Sequence, residues 1–251
     1  TNGGTSIETM TSLETLLQGE HETTKTGYTF AGWYEDASLS IPFDPQAERE
    51  SWEITIYARW TANAKDYTIE HYQVALNGSY TLQETETLTG VTAEIVTATA
   101  KNFTGFSLNS NHEDAVPTLM LPASGDAVLK LFYSRNSYQI TFDEAGGTAV
   151  ADQNVFFGQA VVMLPTPTRV GYAFSGWIDA PTTMPAENLT LVASWQALPT
   201  YTITFDTDGY GTTPSQTIYQ GSLASEPLPP SRLGYAFSGW FEAEANTAFD
   251  F

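Results

Sequence analysis

Gly171-Tyr-Ala-Phe-Ser-Gly-Trp177 recurs as Gly234-Tyr-Ala-Phe-Ser-Gly-Trp240 and, with two changes, as Gly27-Tyr-Thr-Phe-Ala-Gly-Trp33. Self-similarity of this kind marks a repeat architecture, so the heptapeptide is the place to begin. Upstream of the later copies stand Tyr138-Gln-Ile-Thr-Phe-Asp143 and Tyr201-Thr-Ile-Thr-Phe-Asp206, each followed by a Gly-bearing turn and separated by the same 63 residues as the heptapeptides. Downstream, Ile54-Thr-Ile-Tyr-Ala-Arg-Trp60 and Leu189-Thr-Leu-Val-Ala-Ser-Trp195 close two of the copies. One period therefore spans one whole module: an opening segment, the heptapeptide and a closing segment.

All three segments alternate β-branched or aromatic residues with polar ones at a period of two, the pattern of half-buried strands. Tyr138, Ile140 and Phe142 share one side of the opening strand. Leu189, Leu191, Ala193 and Trp195 share one side of the closing strand, and these seven are the core candidates. Between them the sequence predicts a turn at residues 144–147, a strand near residues 154–157 and a Pro-punctuated stretch at 164–170 too short for a long helix. In the heptapeptide, strict alternation would set Trp177 opposite Tyr172 and Phe174, unless Gly176 marks a bulge that turns the indole inward; the bulge is the expectation.

Residues 65–136 lack the heptapeptide yet open with Tyr67-Thr-Ile-Glu-His-Tyr72 and close with Val128-Leu-Lys-Leu-Phe-Tyr133. They read as a second module type, with Asn77-Gly78 as a hairpin turn. The expected organisation is four modules, at residues 1–64, 65–136, 137–198 and 199–251, joined by short linkers at 61–66, 134–137 and 196–200. Such joints favour a semi-rigid array, roughly 100 Å long by compact-domain scaling. The first module is expected to lack its opening strand and the last its closing strand, which would leave unpaired edges open to strand association.

Composition narrows the function. With 41% hydrophobic and 13% aromatic residues the chain can build packed cores. Nine Lys and Arg stand against twenty-nine Asp and Glu, so the acidic chain repels polyphosphate, and nucleic acid is not an expected partner. Cysteine is absent, which removes disulfides, thiolate nucleophiles and Cys-based zinc sites. No apolar run approaches the roughly 20 residues of a membrane-spanning helix. The first residues carry no secretion segment, so an export signal is expected outside this stretch.

No residue is expected to be catalytic, cofactor-binding or metal-binding. Trp33, Trp177 and Trp240 can stack on ligands, but a module of this size needs large side chains for its own core, and core is the reading. Ser175 and Ser238 stand where the first copy has Ala31, which argues against a nucleophile. His21, His71 and His112 lack paired spacing; His71 reads as a packed or rim histidine, and His112-Glu113-Asp114 as a polar loop. Asp206-Thr-Asp-Gly209 begins like a calcium loop, but Thr217 stands where a bidentate Glu is required, so a strand-ending turn is preferred. Glu70 and Lys130 are expected as neighbours in a surface salt bridge, in preference to the flank of a Lys-Asn isopeptide bond.

Through Ile203 to Asp206, Gly146-Gly147, Pro165, Pro167, the three heptapeptides and Tyr57-Ala-Arg-Trp60, three modules resemble the Listeria-Bacteroides repeat, the B repeat of internalin-like surface proteins. Residues 65–136 resemble mucin-binding-type modules through Glu70-His-Tyr72, Leu88-Thr-Gly90 and Lys101-Asn-Phe-Thr-Gly-Phe106. These resemblances imply mainly β, β-grasp-like modules in which first and last strands run parallel at mid-sheet. They also imply a non-enzymatic region of a Gram-positive or gut-type bacterial surface protein, secreted or attached to the cell wall, with no active site. The expected role is a stalk or spacer contributing to adhesion. The competing role is a carbohydrate- or glycoprotein-binding adhesin seated in residues 65–136, with a host or matrix glycan as partner.

Overall fold

The computed structural model describes residues 1–7, 23–49, 53–244 and 247–251. Among these residues it holds strands and turns and no helix. The chain divides into two compact units, Thr1–Asn136 and Ser137–Phe251.

In the first unit, β1 (Tyr28–Tyr34) pairs antiparallel with β2 (Tyr57–Ala62). Then come β3 (Ala64–Val74), β4 (Tyr80–Val91), β5 (Ile95–Thr97), β6 (Phe106–Leu108), β7 (Thr118–Met120) and β8 (Ala127–Arg135). A four-stranded sheet runs in the order β4-β3-β8-β6, and β5 and β7 form a separate pair. The central strands β3 and β8 are parallel, with Ile69 opposite Leu129 and His71 opposite Leu131. One face of this pair supplies the core: Ile69, Leu129, Leu131 and Tyr133 pack with Val96 and Leu121. Asn77-Gly78 does turn the β3–β4 hairpin, with Gly78 at φ 86° and the Ala75 N–H donating to the Ser79 carbonyl at 2.7 Å.

The second unit repeats that plan. β9 (Ser137–Asp143), β10 (Gln153–Phe156), β11 (Tyr172–Trp177) and β12 (Leu189–Ala197) form a sheet ordered β10-β9-β12-β11. Again the first and last strands are the parallel central pair, with Leu189 opposite Ile140 and Leu191 opposite Phe142. β13 (Thr200–Ile203) and β14 (Gln216–Tyr219) then pair antiparallel. Residues 65–136 and 137–198 thus share one strand order although only the second carries the heptapeptide.

The core of residues 137–198 is the expected one, with additions. Ile140 and Leu191 are buried, and Tyr138, Phe142, Leu189 and Trp177 pack against them. Met184 completes the cluster from the loop before β12; its backbone is tied to Gly158 and Gln159 at 2.8 and 2.9 Å. Trp195 differs from expectation. It lies outside that cluster, half-buried, over the turn that follows β9, and its Nε1–H donates to the Glu144 carbonyl at 2.8 Å.

The bulge forms as expected. Phe174 pairs with Trp195, but Gly176 with Ser194 and Trp177 with Ala193, so Ser175 is the extra residue of a bulge made with Gly176, whose φ is 122°. The insertion reverses the alternation and brings Trp177 to the same side as Phe174, 5.4 Å between ring centroids. β1 has the same shift between Phe30 and Trp33.

The expected linkers at 61–66, 134–137 and 196–200 are corrected to far shorter joints. β2 ends at Ala62 and β3 begins at Ala64; β8 ends at Arg135 and β9 begins at Ser137; Leu198 and Pro199 alone separate β12 from β13.

The turn after β9 carries a steric demand that the closing Trp sets. A Cβ on Gly147 would stand 2.5 Å from Trp195 Cζ2, and one on Gly4 would stand 2.4 Å from Trp60 Cζ2. Gly147→Ala is therefore expected to destabilise the second unit by about 1–3 kcal/mol, read by urea denaturation with Trp fluorescence. An unchanged midpoint would mean that the indole is not seated on the glycine.

Candidate functional site

A connected set of polar side chains in the first unit sits on β3, β4 and β8. His71 is fully buried, its Nδ1 2.9 Å from the Tyr133 hydroxyl and its Nε2 2.7 Å from Glu86 Oε1. The Glu86 carboxylate only accepts, so Nε2 carries the proton. The Tyr133 oxygen already accepts the Lys101 N–H at 2.9 Å, leaving its own proton for Nδ1. Lys101 Nζ completes the network 3.2 Å from Glu86 and against Glu84. The chain Tyr–His–Glu has the form of a nucleophile–base–carboxylate relay. Its chemistry is different. Tyr133 is 1% exposed, and burial pushes its phenol above the ordinary value, so it stays protonated with no access for a substrate. The network joins three strands to the segment at Lys101, and His71 is the packed histidine that its alternation with Ile69 implied.

The outer face of the same sheet holds the remaining residues singled out in this module. Glu70 and Lys130 are register partners on β3 and β8 but form no ion pair; the Glu70 carboxylate accepts the Tyr72 hydroxyl at 2.6 Å and raises that phenol's pKa. This replaces the expected salt bridge. His112 is more than part of a polar loop. Its ring stacks on Phe132 at 3.8 Å, with 4° between planes, and meets Tyr80 edge-on at 4.5 Å. His21 lies outside the described residues.

In the second unit, a groove of about 770 Å³ is lined by Ile203, Phe205, Asp206, Tyr235, Phe237 and Trp240. These rings beside acids have the look of a binding site. The repeat supplies a plainer account: the residues one period earlier flank β12, which pairs with β9 on one side and β11 on the other. The groove has the shape of a closing-strand seat. Trp240 Nε1 is buried there without a partner, whereas Trp177 Nε1 donates to the Pro165 carbonyl at 2.9 Å; Leu228 stands one period after Pro165. Asp206 accepts the Asp208 N–H at 2.9 Å in a strand-ending turn, as expected.

One repeated feature escapes the sequence reading. Lys25, Arg169 and Arg232 stand three residues before Tyr28, Tyr172 and Tyr235, and each cation lies over its ring, at 4.3, 3.9 and 3.9 Å from the centroid. Lys25 Nζ also donates to the Asn2 carbonyl and Arg169 Nη1 to the Ala145 carbonyl, while Arg232 lies 3.6 Å from Asp208. Asn2, Ala145 and Asp208 are the left-handed turn residues, at φ 49°, 48° and 55°. The cation thus clamps the turn to the heptapeptide. The signal was present: in a chain with nine basic residues, three share one repeat position.

Comparison with known proteins places these features in context. The family model of the Listeria-Bacteroides repeat domain matches residues 1–59, 138–194 and 201–251. A protein of Evansella cellulosilytica described as a Gly-rich membrane protein is 26% identical over 98% of this chain and 29% of its own length. Internalin H of Listeria monocytogenes is 45% identical over 34% of this chain and 17% of its own length. The chain thus spans less than a third of either relative. Among solved structures, Streptococcal High Identity Repeats in Tandem (SHIRT) domains 3-4 from a cell surface protein align over 54% of this chain and 99% of theirs, at 16% identity and a TM-score of 0.23.

The buried network makes stability depend on pH. The hydrogen bond from His71, with Lys101 beside it, holds the Glu86 carboxyl below its usual value. A lowered folded pKa contributes stability that is present above the unfolded value, about 4.3 for Glu, and is lost as pH falls through the folded value. Glu86→Gln is expected to blunt the fall in melting temperature below that pH, and His71→Phe to cost about 1–3 kcal/mol at neutral pH. Thermal scans across pH check both. Identical pH profiles for Glu86→Gln and the parent chain would show that the pair contributes nothing.

Proposed function

Because the chain belongs to the Listeria-Bacteroides repeat domain family, we propose that it acts without catalysis, as a stalk or spacer of an exported bacterial surface protein. It is a tandem repeat region of the kind that cell-surface proteins carry. Attachment to the cell wall or secretion, and contact with a host or matrix glycoprotein, belong to the same reading.

The observation that carries it is the joint between neighbours within each unit. The first glycine of the heptapeptide accepts, on its carbonyl, the N–H of the residue that follows the closing strand: Asn63 to Gly27 and Leu198 to Gly171, both at 2.9 Å. Asn136 makes the same bond to Gly105. The next module then packs on the bare Cα. A Cβ on Gly27 would stand 2.7 Å from Ala123 and 2.8 Å from Thr92, and a Cβ on Gly171 would stand 2.7 Å from the Tyr219 ring. A joint of one or two residues, hydrogen-bonded and sterically closed, limits bending between neighbours. A spacer needs that property, and an enzyme gains nothing from it.

Small-angle scattering tests the reading. A stiff array is expected to show a radius of gyration near 30 Å, against roughly 18 Å for a compact globule of 251 residues. Gly27→Ala and Gly171→Ala should loosen the joints and broaden the distance distribution. Gly234→Ala serves as the control, since it has the same left-handed φ, near 80°, but open space around the added methyl. A compact particle, or equal effects from all three variants, would contradict the spacer.

A further inference from the structure

In residues 65–136 and again in residues 137–198, the strand on which the chain enters the sheet lies beside, and parallel to, the strand on which it leaves. Parallel neighbours begin at the same end of a sheet, so the entry of the first and the exit of the second lie at opposite ends. Tension that reaches such a module through its flanking joints pulls the entering strand one way along the ladder and the leaving strand the other. The load then falls along the strands, and all hydrogen bonds of the ladder bear it together. A hairpin behaves differently: its two ends lie side by side, and the same tension opens one bond at a time. β13 and β14 pair in that antiparallel manner.

The two parallel ladders differ in length. In the first, seven register partners, from Tyr67 opposite Ala127 to Gln73 opposite Tyr133, lay about 20 Å of β3 along β8. In the second, four partners, from Leu189 opposite Ile140 to Val192 opposite Asp143, lay about 10 Å of β12 along β9. Side chains add rungs between the same strands. The buried Tyr133 hydroxyl of β8 bonds His71 of β3 at 2.9 Å, and Arg135 Nη2 donates to the Val74 carbonyl at the end of β3 at 3.0 Å. In the second sheet the Thr141 hydroxyl of β9 donates to the Leu189 carbonyl of β12 at 3.1 Å and lies 2.8 Å from the Thr190 hydroxyl. The Gln139 N–H donates to Asn188 Oδ1 at 2.9 Å. A slide of one residue, about 3.3 Å, carries each of these pairs out of hydrogen-bond reach.

From this arrangement we propose that residues 65–136 and 137–198 are force-bearing modules, whose β3–β8 and β9–β12 ladders resist tension along the chain in shear. The inference rests on the spacer reading, because only a tether is put under tension. The joint suits the role: β8 passes to β9 through Asn136 alone, so little slack lies between one ladder and the next. Stiffness and resistance to pulling are separate properties. A bent chain can hold strong ladders and a straight one weak ladders, so scattering and pulling fail independently.

Single-molecule pulling on the full chain decides the matter. The chain has no cysteine, so two introduced cysteines set the direction of load. Ala64→Cys with Ser137→Cys grips the entry of β3 and the exit of β8 and loads the ladder in shear. Leu76→Cys with Ser137→Cys grips the β3–β4 turn and the exit of β8, which lie at the same end of the parallel pair, and peels the strands apart. All three sites are exposed, and urea denaturation checks that the two variants are equally stable, so a difference in force reports direction alone. Forced unfolding follows the barrier along the pulling direction, and the sheared variant is expected to need about twice the force of the peeled one or more. In the parent chain held by its two ends, the release of at most about 26 nm from residues 64–135 should need more force than the release of at most about 22 nm from residues 137–197. Equal forces in the two directions, or a reversed order of the two releases, would overturn the proposal.

Discussion

Every complete sheet in this chain depends on one backbone contact, the parallel pairing of a module's first strand with its last. Parallel neighbours cannot be joined by a tight turn, so everything between them must cross over and return. In residues 137–198 that crossing chain supplies β10, Met184, the Pro-punctuated stretch and β11, which then pairs antiparallel with β12. The same contact brings Ile140 beside Leu189 and Phe142 beside Leu191, and so creates the core. Around Tyr235 to Trp240 the heptapeptide forms no strand and its rings line an open groove.

Large aromatic residues and small glycines are complementary parts of one design. Trp195 occupies the space above Gly147 and bonds the Glu144 carbonyl, and Trp60 does the same over Gly4 and Thr1. Gly176 shifts the register so that Trp177 reaches the interior, and Gly171 leaves room for the following module. A unit of about 60 residues buries a modest share of its surface, so each ring must be placed well. These glycines recur because each stands beside a bulky neighbour or in a left-handed conformation.

Much of this was legible in the residues. The period of 63, the strand faces, the bulge at Gly176 and the Asn77-Gly78 hairpin all follow from local rules of alternation and turn chemistry, which need no knowledge of distant contacts. Other features were not legible. Residues 65–136 read as a separate module type because their side chains differ; the resemblances implied a parallel first and last strand in both types, while alternation alone did not carry the full strand order that the two share. The joints read as linkers because polar residues such as Asn63 and Asn136 look like loop, while each is a single residue between two strands. The clamp of Lys25, Arg169 and Arg232 on tyrosine was written in the spacing but gains meaning only when the turn carbonyl comes into reach.

The sequence by itself determined the repeat, the mainly β character, the absence of thiol chemistry and, Trp195 excepted, the inward side of the opening and closing strands of residues 137–198. These are local properties, set by side-chain period and composition. Tertiary structure alone decided which polar groups meet. Glu70 and Lys130 are opposite in register, yet Tyr72 takes the carboxylate; His71 and Tyr133 are 62 residues apart, yet share a hydrogen bond. His112 rests on Phe132 because the crossover folds its loop back over the outer face of the sheet. Side-chain pairing across a parallel crossover depends on where the chain returns, and no periodicity in the sequence carries that information.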